Sequence, residues 1–244
     1  MARNNNNKLK AFVRFDGNGR IIPSSLIVQA FKPKVGNWQE IDANECCNII
    51  PSPPIPSITI CNQVWSLRNL DVDTYANGDP IPEVTDGATW DSLTTGAWCW
   101  NLNDSANGLI YGKLYNWYAV NDPRGLAPQG WHVSTENDWL TLIDCLGAPT
   151  AGQQTKEAGN AHWSSPNTNT NSSGFTALPS GYRTSYNQGI DGFGGLSTYG
   201  WFWTSTPNGL TEAITFIMIY NSDAIIPSNP LLKRVGLAVR LVQD

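Results

Sequence analysis

Four prolines fall within six residues, at positions 51, 53, 54 and 56. Proline fixes its own φ, offers no N–H, and pushes the residue before it towards extended backbone. Neither a helix nor a central strand can cross such a run, so the chain must fold as one piece before it and another after it. Residues 49–60 are expected to form an extended polyproline II spacer. That spacer is either a bare linker or a semi-rigid stalk.

The piece before the spacer, residues 1–48, reads as a small β module. Leu9, Ala11, Val13 and Phe15 alternate with Lys10, Phe12 and Arg14, the period of two that belongs to a strand. Asp16-Gly17-Asn18-Gly19 follows and is a strong hairpin signal. Ile21-Ile22 and the stretch from Leu26 to Phe31 read as returning strands, broken by Pro23 and Pro33. A module of about 40 residues lies near the lower limit for folding alone. It is expected to need a partner surface or self-association, as a homodimer or homotrimer.

Charge divides at the same place. Residues 1–48 carry a net +3 and residues 49–244 a net −8. The acidic body argues against nucleic-acid binding, which depends on Lys and Arg to neutralise phosphate. Within the module, Lys8, Lys10, Arg14, Arg20, Lys32, Lys34 and Trp38 are the candidate attachment residues; the plain alternative is a set of solvated lysines. No apolar segment follows Met1 as a secretory signal would require, and the longest apolar run, Ile214 to Tyr220, is too short to cross a bilayer. The expectation is a protein made in a cytoplasm, without membrane insertion.

The piece after the spacer, residues 61–244, holds ten of the eleven tryptophans. With 22 glycines, 16 prolines, 25 asparagines and only 14% charged residues, the composition of the whole chain points to a turn-rich, strand-rich fold and away from helical bundles and disorder. Tyr111, Leu114, Tyr115 and Tyr118 are spaced for a helix, although so aromatic a stretch also suits a strand. A second helix is expected after Ser134 or Thr135 as cap, with Trp139, Leu142, Ile143 and Leu146 as its buried face and Gly147 as its stop. Residues 160–173 and 187–195 read as ordered loops. Ile214 to Tyr220 and Val235 to Val242 read as strands. Cysteines 46, 47, 61, 99 and 145 show neither a disulfide framework nor a zinc spacing and are read as buried or free thiols.

Several segments together resemble a known family. They are Val64-Trp65-Ser66-Leu67-Arg68-Asn69-Leu70, the run Tyr111 to Val120, Gly130-Trp131-His132-Val133-Ser134-Thr135-Glu136-Asn137-Asp138-Trp139, Gly174 to Arg183, Trp201 to Thr206, and Gly236 to Val242. Over residues 58–244 they look like the Fibrobacter succinogenes major paralogous domain, which is similar to the formylglycine-generating and sulfatase-modifying group. The resemblance implies an α+β fold, a C-type-lectin-like domain, behind the small β module and the proline-rich linker. Fold alone does not assign activity. The related oxidases use a cysteine pair near their C-terminus, whereas residues 146–244 here hold no cysteine. The expectation is a protein without enzymatic activity, with no catalytic residues and no cofactor. Residues 8–48 more distantly resemble N-terminal modules of virion proteins from crAss-like phages of Bacteroidetes.

Candidate chemistry is sparse. His132 reads as a structural residue satisfying a buried hydrogen bond, and His162 as exposed in a loop. Asp71, Asp73 and Asp79 superficially suggest a calcium loop, but its glycine is misplaced and its closing glutamate is missing, so no metal site is expected. Tyr186, Asn187, Gln188, Asp191, Phe193 and Tyr199 combine aromatic, amide and carboxylate groups in one loop region, the pairing that sugars demand with their apolar ring faces and hydroxyls. Trp201 and Trp203 are read as core. The functional expectation is a phage virion protein, a capsid decoration, head fibre or tail component: residues 1–48 bind capsid or other virion proteins, and residues 61–244 display the lectin-like domain for host-surface or glycan adhesion. The alternative is a bacterial surface or secreted adhesion protein of the same family.

Overall fold

A computed structural model describes residues 10–14, 27–29, 38–41, 54–184 and 191–244. The chain divides into two compact units, residues 1–54 and 55–244. In the first, β1 (Lys10–Arg14) lies between β2 (Ile27–Gln29) and β3 (Trp38–Ile41), antiparallel to both. Phe12 is opposite Ile27 on one side and Glu40 on the other, and Arg14 is opposite Trp38. Of the candidate attachment residues, Lys10, Arg14 and Trp38 thus lie on strands; Lys8, Arg20, Lys32 and Lys34 lie outside the described residues, as does the Asp16 to Gly19 turn.

The second unit is α+β. It opens with the hairpin β4 (Ser57–Ile60) and β5 (Gln63–Ser66). Residues 57–60, the end of the stretch read as a spacer, are therefore a strand: past Pro56 no proline interrupts the Ser-Ile-Thr-Ile run, and its backbone pairs. Cys61 in the two-residue turn takes φ 52°. There follow α1 (Gly87–Asp91), β6 (Trp98–Cys99), a 3-10 turn at Asn101–Asn103, α2 (Ser105–Tyr111), β7 (Leu114–Tyr115) and α3 (Trp117–Val120). Then come β8 (Trp131–Val133), α4 (Glu136–Leu146), α5 (Ala151–Thr155), β9 (Ser180–Arg183), β10 (Phe193–Leu196), β11 (Tyr199–Asn208), β12 (Glu212–Ile219), β13 (Ile225–Leu232) and β14 (Leu241–Gln243).

Two sheets carry the unit, ordered β10-β9-β11-β12-β13 and β4-β5-β14-β8. The second joins the start of the unit to its end, with Val242 opposite Trp65. The first is built on the long β11–β12 hairpin, which is buried on both faces. Alternation along β11 sends Trp203 to one cluster, with Tyr115, Trp117, Leu237 and Val239. Phe202 goes to the other, with Trp65, Trp139, Phe175, Phe216 and Met218. Helix α4 closes this second cluster. Thr135 caps it with a reciprocal Asp138 capping box, and Trp139 stacks on Phe216 at 5.4 Å.

Three expectations are corrected. The helical stripe from Tyr111 to Tyr118 is broken: Tyr111 ends α2, Gly112 turns the chain with φ 74°, Leu114–Tyr115 pair as β7, and Asn116 caps the separate α3. Aromatic spacing satisfied the core without one continuous helix. The stretch from Val235 to Val242 is a ladder strand only from Leu241; before it, Gly236, Leu237 and Ala238 make single bridges to Arg183, Tyr115 and Phe202. Cys61 and Cys145 form a disulfide across 84 residues, Cα to Cα 6.7 Å, linking the β4–β5 turn to the end of α4. Distance along the chain hid that pairing.

Candidate functional site

Strands β9 and β11 lie side by side in the five-stranded sheet and bring Tyr182, Tyr199 and Trp201 together. Gly181 and Gly200 are partners at the parallel crossing. Gly181 has φ 65°, and a Cβ there would run into the Gly194 carbonyl, so a side chain at this position is excluded twice over. The three rings meet edge to face or tilted: Tyr182 and Trp201 at 5.5 Å, Tyr199 and Trp201 at 6.2 Å, Tyr182 and Tyr199 at 6.3 Å. All three are half-buried. Trp201 holds its indole N–H on Thr215 Oγ1 at 3.1 Å, which fixes the ring. Tyr182 and Trp201 line a hollow of about 180 Å³ with Thr184, Leu231 and Val235. A rigid aromatic rim beside a shallow hollow can stack against a flat apolar face and offer phenol hydroxyls at its edge.

The residues expected to bind ligand are not all placed together. Tyr186, Asn187 and Gln188 lie outside the described residues. Tyr199 belongs to the rim, and Asp191 is exposed at the turn into β10, with φ 49°. Phe193 does not belong: it is buried in the core beneath the Arg183 guanidinium, 4.7 Å from its ring. Residues 193–195, read as part of a loop, belong to strand β10, because Phe193 and Gly194 pair with β9. Tyr182 and Trp201 were not among the residues expected to bind ligand. Trp201 was read as core, and it does pack on the core's edge, but its strand position leaves it half open. Trp203, two residues on, is fully buried, as expected.

The two histidines are both engaged. His132 lies between Asp138, 3.1 Å from Nε2, and Asp244, 2.8 Å from Nδ1. Its side chain is 38% exposed: the bond to Asp244 lies at the surface, and the one to Asp138 is only partly buried. His162, expected to be free in solvent, packs edge-on against Tyr111 and places Nδ1 2.8 and 3.0 Å from the two carboxylate oxygens of Glu157. Of the carboxylates that resembled part of a calcium loop, two are paired with cations: Asp71 with Lys113 at 2.8 Å and Asp79 with Arg124 at 3.2 Å. Cys99 is the free cysteine among the described residues; it is sealed in the core, and burial pushes its thiol up to about 12. A thiol so placed is not a nucleophile near neutral pH.

The model of one protein family, the Fibrobacter succinogenes major domain, matches residues 58–243. No curated protein and no solved structure matches the chain. The matched stretch begins within β4 and ends with β14, so it takes in both sheets and the helices of the second unit, and the chain belongs to the Fibrobacter succinogenes major domain family.

Proposed function

We propose that the second unit is a C-type-lectin-like binding domain that holds carbohydrate at the Tyr182–Tyr199–Trp201 rim. The observation that carries this reading is the triad itself: three aromatic rings, mutually braced and half open to solvent, beside a small hollow. Sugars present an apolar ring face to such a surface and hydroxyls to its polar edge. Tyr186, Asn187 and Gln188, a few residues past β9 in the sequence, carry phenol and amide groups of the kind sugars bind. No catalytic role is part of this reading; the buried Cys99 thiol supports that choice.

In the same proposal residues 1–48 attach the domain to a larger particle, a phage virion assembled in the host cytoplasm, through capsid or other virion proteins. The division into a +3 segment and a −8 remainder supports a two-part design. Many weak sites displayed on one particle, or on a homodimer or homotrimer, would give useful avidity.

The test is a glycan array probed with the full chain, followed by titration of the best ligand. Trp201→Ala and Tyr199→Ala should each weaken binding by about two- to tenfold, the effect of losing one stacking ring of roughly 0.5–1.5 kcal/mol. Binding that survives both substitutions unchanged, or no binding at all, overturns the assignment. For the particle, a density map of purified virions lacking this fold would sink the attachment reading.

A further inference from the structure

The Cys61–Cys145 bond lies on the outside of a contact that is already made without it. Both cysteines are exposed, Cys61 in the two-residue turn between β4 and β5 and Cys145 in the last turn of α4. Beneath them the same two elements share a core. Ile60 and Trp65 of the hairpin are buried in one cluster with Trp139, Leu142 and Ile143 of α4, and Trp65 meets Trp139 edge-on at 5.1 Å. Beside that core, Gln63 Nε2 donates to the Asp138 carbonyl and to Asp138 Oδ1, both at 3.2 Å. β5 is also paired on both sides, with β4 and with β14. The hairpin therefore has a full set of non-covalent contacts to hold it on α4 when the bond is broken. A disulfide at the surface is within reach of an attacking thiolate, and exposed disulfides are the labile ones. Cys99 supplies the contrast within the same unit, a thiol sealed in the core.

We propose that Cys61–Cys145 is a thiol-exchange site, a latch that a small monothiol of the glutathione class opens in the folded chain and that glutathione disulfide closes again. In opening, one glutathione thiolate attacks an exposed cysteine sulfur and forms a mixed disulfide. The other cysteine leaves as a thiolate and takes up the proton that the glutathione gave up. A second glutathione thiolate then attacks the glutathione sulfur of the mixed disulfide. The products are two cysteine thiols and one glutathione disulfide, and closing is the same sequence reversed. A thiol-rich cytoplasm keeps the second unit unlatched, and an oxidising medium latches it. This inference is independent of carbohydrate binding at the aromatic rim.

The test incubates the folded full chain in glutathione buffers of rising reduced-to-oxidised ratio and pulses it with an alkylating reagent while it is still folded. Labelling of each cysteine is read on its own peptide, with near-ultraviolet circular dichroism recorded alongside. Cys61 and Cys145 should become alkylatable together, at least about tenfold faster than Cys99, whose exposure needs unfolding. The dichroism should keep its native form, and return to oxidised buffer should close the bond. The Cys61→Ser/Cys145→Ser double variant should show the same native spectrum at every ratio. A bond that stays shut until urea unfolds the chain, Cys99 labelled in step with the pair, or a double variant without the native spectrum overturns the proposal.

Discussion

Arg183, Arg240 and Lys156 are buried cations that donate mainly to backbone carbonyls. Arg240 donates to Asn69 Oδ1 and to the carbonyls of Ser66, Phe175 and Thr176, with its guanidinium 4.5 Å over the Phe175 ring. It thereby ties β14 to the β5 side of the unit and to the loop before β9. Arg240→Met would fill the space and strip those acceptors of their donor, so unfolding in urea should show a loss of about 3 kcal/mol or more. Lys156 donates to the carbonyls of Ile219 and Ser222 at 2.8 and 2.6 Å, and burial lowers its pKa to about 8 from 10.5. Its folded pKa lies below its unfolded one, so between these values the unfolded chain holds a proton that the folded chain has released. Stability contributed by this group should therefore rise from about pH 8 to 10.5. Urea midpoints measured across that range should show the rise in the wild type and a flatter profile in Lys156→Met.

At the scale of elements, α4 was the most legible part of the chain. Its cap, its acidic first turn, its apolar face and its stop glycine all agree with one another, and helix Glu136–Leu146 follows. Removing the cap tests how much of that agreement is energetic. Thr135→Ala loses the bond to the Asp138 N–H and should cost about 1 kcal/mol in chemical denaturation. The 111–118 stretch shows the opposite case. Its periodicity was real as a record of burial and wrong as a record of helix, because Gly112 and the Asn116 cap divide it. β13 shows a further device. It is the edge of the five-stranded sheet, and Pro227 and Pro230 lie on it, which discourages pairing with another chain.

For the whole second unit, closure is the organising fact. The first hairpin, β4–β5, lies beside the last strand, β14, and the Cys61–Cys145 disulfide links its turn to α4. A crosslink across 84 residues restricts the unfolded chain more than the folded one. Reduction, or the Cys61→Ser/Cys145→Ser double variant, should lower stability by about 2–4 kcal/mol. Thiol titration of the unreduced, unfolded protein should find these two cysteines unavailable.

What the sequence determined by itself was local or compositional. The proline run marked where the chain divides, the Trp-rich and Gly-rich composition marked a turn-rich, strand-rich fold, and the capping residues marked α4. These signals act over a few residues and need no knowledge of neighbours. Only the tertiary structure decided which aromatics face solvent and which distant residues meet. Trp201 and Trp203 are alike in sequence, yet one is half open and the other sealed, because the sheet covers them unequally. Tyr182 joins Trp201, Glu157 joins His162, and Cys61 joins Cys145 through contacts made across strands and loops. A linear pattern records periodicity and propensity; it does not record which surfaces the fold brings together.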